Sequence, residues 1–109
     1  MSVRRIASVL RLQPEKEAEY RRLHAAVWPG VLEALRAAHI TNYSIFYRDG
    51  LLFSYLEYTG ENYTADTARI AADPDTRRWW QLTDPCQQPV ESAAEGEWWA
   101  SAEELFHLD

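Results

Sequence analysis

The sequence is poor in cysteine. Its single thiol, Cys86, cannot close an intramolecular disulfide, so packing must supply the stability, completed by a second subunit if one is present. Long apolar runs are missing too. No stretch nears the roughly 20 apolar residues of a bilayer span, and no apolar region follows Arg4 and Arg5 as it would in a secretory leader. A cytoplasmic protein with no membrane partner is the expectation. Basic charge is outweighed, with eleven Lys and Arg against seventeen Asp and Glu, and the net charge of −6 opposes approach to phosphate backbones and anionic lipid. Nucleic acid is therefore excluded as a partner. His24, His39 and His107 show no metal-ligand spacing, so no metal site is expected, and neither a glycine-rich phosphate loop nor a nucleophile elbow occurs. Cys86 has no histidine close in sequence and reads as a structural or incidental thiol.

What is present in excess is aromatic. Five Trp and six Tyr in 109 residues exceed what a core of this size easily hides, so some rings should line a pocket or an interface. With 47% hydrophobic and 26% charged residues the composition is that of a globular protein, and the length fits one domain, 1–109.

Along the chain, residues 3–12 read as a first strand through Ile6, Val9, Leu10 and Leu12. Pro14 suits a first helical position, with Glu15 and Glu17 in the first turn where the helix dipole favours them. The helix that follows has an inner stripe of Tyr20, Leu23, His24 and Val27, and Trp28-Pro29 should end it. A second helical run carries Val31, Leu32, Leu35 and Ala38. A hairpin is predicted next, its arms 42–47 and 51–58 joined at Asp49-Gly50. Both arms are apolar on both faces, so helices should cover one face and the sheet of a second subunit the other. A weak helical pattern over 60–72, an Asp73-Pro74 start for a short helix bearing Trp79 and Trp80, a loop over 85–96 and a closing strand over 104–108 complete the chain. The predicted order, βααββααβ, is the ferredoxin-like pattern of an α+β protein.

His24 is the residue most informative about chemistry, because an imidazole stands on the inner stripe where burial alone would favour leucine. Two readings of it stand: a proton donor and acceptor near neutrality, or a core histidine satisfied by a carbonyl. Trp79 and Trp80 are adjacent on one helix, so they point about 100° apart and should not share one pocket wall. At least one should pack in the core, while a flat indole suits the apolar face of a sugar ring. Tyr43 fits either a sugar contact or ordinary sheet packing. Glu57 faces the same way as Tyr43 only if the hairpin loop has three residues and a bulge; a two-residue loop puts them on opposite faces. Trp98 and Trp99 read as core or subunit-contact residues, with no site role.

The segments Glu19-Tyr20-Arg21-Arg22-Leu23-His24, Val27-Trp28-Pro29, Asn42-Tyr43-Ser44-Ile45, Arg78-Trp79-Trp80 and Glu104-Leu105-Phe106-His107-Leu108 together resemble the L-rhamnose mutarotases, in that family's order and over almost the whole chain. The resemblance implies a dimeric α+β barrel of two ferredoxin-like protomers that exchanges the anomers of L-rhamnose or a related 6-deoxy sugar without a cofactor. It also implies that His24 is the proton donor and that Tyr20, Tyr43, Trp79 and Trp80 contact the sugar. The stretch 82–99 departs from the enteric members, being longer and more aromatic. Two other functions fit the same fold class. One is a cofactor-free oxygenase of the dimeric ferredoxin-like type, the other a non-catalytic sugar-binding protein.

Overall fold

The computed structural model describes residues 3–109; Met1 and Ser2, at the head of the segment read for a leader, lie outside the described residues. Strand β1, Arg4–Leu12, is followed by a 3-10 turn, Pro14–Lys16, and helix α1, Glu17–His24. Trp28 is extended and Pro29 opens α2, Pro29–Ala37, at a position where its missing N–H has no helical partner to lose. Strands β2, Ile40–Arg48, and β3, Leu51–Tyr58, form the predicted hairpin. Asp49 and Gly50 have φ of 50° and 81°, the left-handed pair that a two-residue primed turn requires.

Helix α3, Tyr63–Ala72, begins at Asn62, whose side chain accepts from Ala65 N, and α4, Pro74–Thr83, begins at Asp73, whose carboxylate accepts from Thr76 N. Both caps occupy donors that the first helical turn leaves open.

The sheet is antiparallel, in the order β2-β3-β1-β4 with β4 at Gln87–Gln88, which is the ferredoxin-like order. Its last position corrects the sequence reading. Residues 104–108 form no strand; two short strands, β4, Gln87–Gln88, and β5, Ala100–Ala102, pair with β1 instead. Register gives the reason. β5 aligns Ala7 with Ala102, so two residues further on Glu104 stands opposite Arg5, and the chain then runs past the start of β1. Glu104 is tied there by a two-pronged ion pair to Arg5, at 2.7 and 2.9 Å, and Leu105, Phe106 and Leu108 project into solvent. The stretch 85–96, read as loop, contributes a second 3-10 turn, Asp84–Cys86, and β4.

The helices cover the sheet face that carries Ile6, Leu10 and Leu12 of β1 and Leu52, Leu56 and Tyr58 of β3. Two buried clusters result. One joins Leu10, Leu12, Leu52 and Cys86 to Tyr20; the other joins Ala38, Ile40, Tyr58 and Ile70.

Candidate functional site

The two clusters do not merge, and between them a cavity of about 810 Å³ opens. Tyr20 and Leu52 wall it from the first cluster, Ile40 and Ile70 from the second. All five residues singled out from the sequence, Tyr20, His24, Tyr43, Trp79 and Trp80, border this one cavity.

Helix α1 contributes Tyr20, Arg21 and His24 to the wall. Tyr20 and His24 are one turn apart, with ring centroids 4.1 Å from each other. His24 Nδ1 lies 2.9 Å from the Tyr20 carbonyl oxygen, which can only accept, so Nδ1 carries a proton and Nε2 is left for the cavity. The two readings of His24 are compatible in this geometry: one nitrogen is satisfied by a backbone carbonyl, while the ring borders the cavity. Arg21 and Tyr47 stand at the same wall, the guanidinium 5.0 Å from the ring centroid, and both side chains bond Glu17 at 2.9 Å.

Trp79 is buried, its indole edge-on to His24 at 5.4 Å and to Trp28 at 5.3 Å, whereas Trp80 remains 37% exposed. The adjacent tryptophans are therefore inequivalent, as their angular separation requires. Both nevertheless border the cavity, contrary to the sequence reading, because a space of this size extends round the flank of α4.

The hairpin fixes Tyr43. Arg48 pairs with Leu51 across the two-residue turn, and a bulge between Thr41 and Ser44 takes up the left-handed Asn42. Tyr43 then lies on the same face as Ile45, toward the cavity. Glu57 lies on the opposite face, where it accepts from Asn42 Nδ2 and Tyr55 Oη, each at 2.8 Å. It has no part in the cavity wall.

Desolvation pushes the Tyr20 phenol up to about 12, partly offset by a hydrogen bond from Gln87. Desolvation raises the Tyr43 phenol as well. Both are neutral phenols near pH 7.

Among the wall residues given no site role from the sequence, three stand close to Tyr20. Gln87 is buried and donates from Nε2 to Tyr20 Oη at 3.1 Å, Trp98 Nε1 donates to Gln87 Oε1 at 2.8 Å, and Trp99 packs against the first core cluster. The aromatic excess pointed to Trp98 and Trp99, but a glutamine inside an apparent loop carries no sequence signal. Among the described residues no group of three His, Cys, Asp or Glu side chains is placed to hold a metal ion.

A family model described as L-rhamnose mutarotase matches residues 5–108. The chain belongs to the L-rhamnose mutarotase family. An L-rhamnose mutarotase of Burkholderia orbicola (strain MC0-3) is 38% identical over 112 residues, covering 95% of this chain and 97% of that one. The L-rhamnose mutarotase of Opitutus terrae is 34% identical, over 96% of this chain and 98% of the relative. Among solved structures, the L-rhamnose mutarotase of Formosa agariphila superposes with a TM-score of 0.75 at 21% identity, over 97% of this chain and 99% of that one. A tetracenomycin F2 cyclase from Streptomyces glaucescens superposes with a TM-score of 0.63 at 13% identity, over 97% of each chain, and shows that the mutarotase family shares its fold with other proteins.

Proposed function

We propose that this protein interconverts the α and β anomers of L-rhamnose by acid–base ring opening, with His24 moving the proton. The observation that carries the proposal is the state of His24: Nδ1 is held by the Tyr20 carbonyl, and the ring borders an aromatic-walled cavity. In the protonated ring, Nε2–H gives its proton to the pyranose ring oxygen while a water molecule beside the sugar takes the proton of the anomeric hydroxyl, and the C1–O5 bond breaks. The open aldehyde rotates about C1–C2. Reclosure returns the first proton to Nε2, the water gives the second back to the former aldehyde oxygen, and the anomeric hydroxyl is left on the other face. Tyr20 and Tyr43, as neutral phenols, hydrogen-bond the sugar, and the open Trp80 offers its indole face to the apolar side while Trp79 packs inward. The uncatalysed reaction already runs in water, so the roughly 10²- to 10⁴-fold that positioned acid–base groups supply is enough.

The reading includes a homodimer and a cytoplasmic setting. No helix among the described residues is long and apolar enough to cross a membrane. The dimer is supported by the uncovered sheet face, where Phe46 is 60% exposed and Phe53 39%.

The oxygenase alternative has only a fold likeness behind it, since a putative antibiotic biosynthesis monooxygenase from Caulobacter crescentus superposes with a TM-score of 0.57 at 12% identity. Magnetisation transfer between the anomeric protons of L-rhamnose, with and without protein, tests the proposal. Acceleration by the wild type and a loss of about 10²-fold or more in His24→Asn are expected. Binding of rhamnose with exchange left at the spontaneous rate would make the protein a non-catalytic sugar binder. Wild-type rates in His24→Asn would move the proton transfer elsewhere.

A further inference from the structure

The segment between α4 and β5 brings two side chains to Tyr20 that nothing in the sugar chemistry so far has used. Trp98 Nε1 lies 2.8 Å from Gln87 Oε1, and Gln87 Nε2 lies 3.1 Å from Tyr20 Oη. An indole N–H can only donate, so its partner on Gln87 is the carbonyl oxygen. The amide orientation of Gln87 is thereby fixed, with its NH2 aimed at the phenol. Tyr20 Oη accepts that bond, and its single proton points away from Gln87.

The parts are held in place. Gln87 is buried and pairs with Leu12 across β4, and Gln13 Nε2 donates to its backbone carbonyl at 3.4 Å. The turn that delivers Trp98 is closed by Glu97, which accepts from Ala94 N at 2.9 Å and Ser101 N at 3.1 Å. Tyr20 itself packs in the first core cluster and borders the cavity.

We infer that Gln87 and Trp98 are positioning residues that set the polarity of the Tyr20 hydroxyl, holding it as a hydrogen-bond donor toward a sugar oxygen. This role rests on the proposed anomer exchange at the same cavity. The upward displacement of the Tyr20 phenol agrees with it, because a phenol that keeps its proton remains a donor. Tyr20 then serves the site twice: its carbonyl orients His24, and its hydroxyl, oriented by Gln87, holds the substrate that His24 protonates. The long aromatic stretch 82–99 acquires a purpose, since it carries both members of the relay.

Gln87→Glu is the decisive variant, because it keeps the shape and the bond from Trp98 but replaces the donor with a carboxylate that draws the Tyr20 proton toward itself. At neutral pH its anomer exchange should fall as far as in Tyr20→Phe, roughly three- to tenfold for one lost hydrogen bond. Lowering the pH should restore part of the rate as the carboxyl regains a proton and can donate again. Gln87→Met should lose as much at every pH, and adding it to Tyr20→Phe should cost nothing more, since the two act on one bond. Trp98→Phe, which keeps most of the ring, should fall between these and wild type. In Gln87→Met the indole proton resonance of Trp98 should move upfield as its acceptor disappears.

Wild-type exchange in folded Gln87→Glu at neutral pH, or losses in Gln87→Met and Tyr20→Phe that add, would overturn the positioning role alone. An active wild type is the control that separates the two proposals. A wild type that leaves exchange at the spontaneous rate overturns the proposed function and this role together. If Gln87→Glu fails to fold, Gln87→Met and Trp98→Phe decide by the same criteria.

Discussion

At the scale of single residues, exposure separates the two tryptophans of α4. Trp79, buried between His24 and Trp28, is chiefly a packing residue, and Trp79→Ala should cost about 3–5 kcal/mol of folding free energy, read from denaturant or thermal unfolding. Trp80 is the open ring and the better candidate to stack on sugar. Trp80→Ala should leave stability nearly unchanged and weaken rhamnose binding by about three- to tenfold, the worth of one aromatic contact. Unchanged affinity in stable Trp80→Ala would remove that ring from the site. The sequence made the inequivalence of these neighbours legible through helix geometry, but not which ring was which, because the rotation of α4 depends on its packing against α2 and α3. His24 was legible because an imidazole stands on a stripe where burial alone would favour leucine, whereas Tyr20 entered the site only through the family resemblance. Gln87 was not, since the only thing that makes it functional is a tyrosine hydroxyl 67 residues away in the chain.

At the scale of elements, the caps and turns were readable where local chemistry decides. Asp73-Pro74 opens α4, and Asp49-Gly50 turns the hairpin with two left-handed residues. The edge of the sheet was not readable, because the apolar cluster Leu105, Phe106 and Leu108 suggests a strand while the register of β5 carries it to and past the start of β1. Helix α3 shows a third case, in which a weak amphipathic pattern is reinforced by a buried charge. Asp66 accepts from Tyr58 Oη at 2.5 Å, from Arg69 and from His39 Nδ1 at 3.2 Å, which ties α3 to β3 and to the end of α2. Tyr58 first and Arg69 next hold its carboxyl down at about 2, below the ordinary aspartate value. A folded-state pKa below the unfolded one means that the unfolded chain binds the proton first as pH falls. The stability contributed by Asp66 is therefore complete above the unfolded value and is lost as pH falls from about 4 to about 2. Unfolding midpoints of wild type and Asp66→Asn, compared at each pH from 6 to 2, should differ most at pH 6 and converge at the acid end. A constant difference across that range would show that the carboxylate contributes no pH-dependent stability.

At the scale of the whole molecule, the helices leave one face of the sheet uncovered, and large apolar side chains remain exposed there and at the C-terminus. Phe46 and Phe53 stand opposite each other on β2 and β3, and the C-terminal segment holds out Leu105, Phe106 and Leu108 at 80–88% exposure. A two-fold axis would let each copy place its segment against the other's sheet, so that both unpartnered surfaces are covered by one self-complementary contact. Arg5 supports this arrangement by anchoring Glu104, which fixes the direction in which the segment leaves the sheet. A contact that covers both surfaces should reach the 1,200–2,000 Å² typical of stable interfaces. Sedimentation equilibrium should accordingly give twice the chain mass at micromolar concentration, and Phe46→Ser combined with Phe106→Ser should shift the molecule toward monomer. The double variant should also unfold at lower temperature and with a midpoint that depends less on concentration, because stability shared across an interface follows mass action. A wild type that sediments as a folded monomer at that concentration would show that the exposed phenylalanines are not a dimer contact.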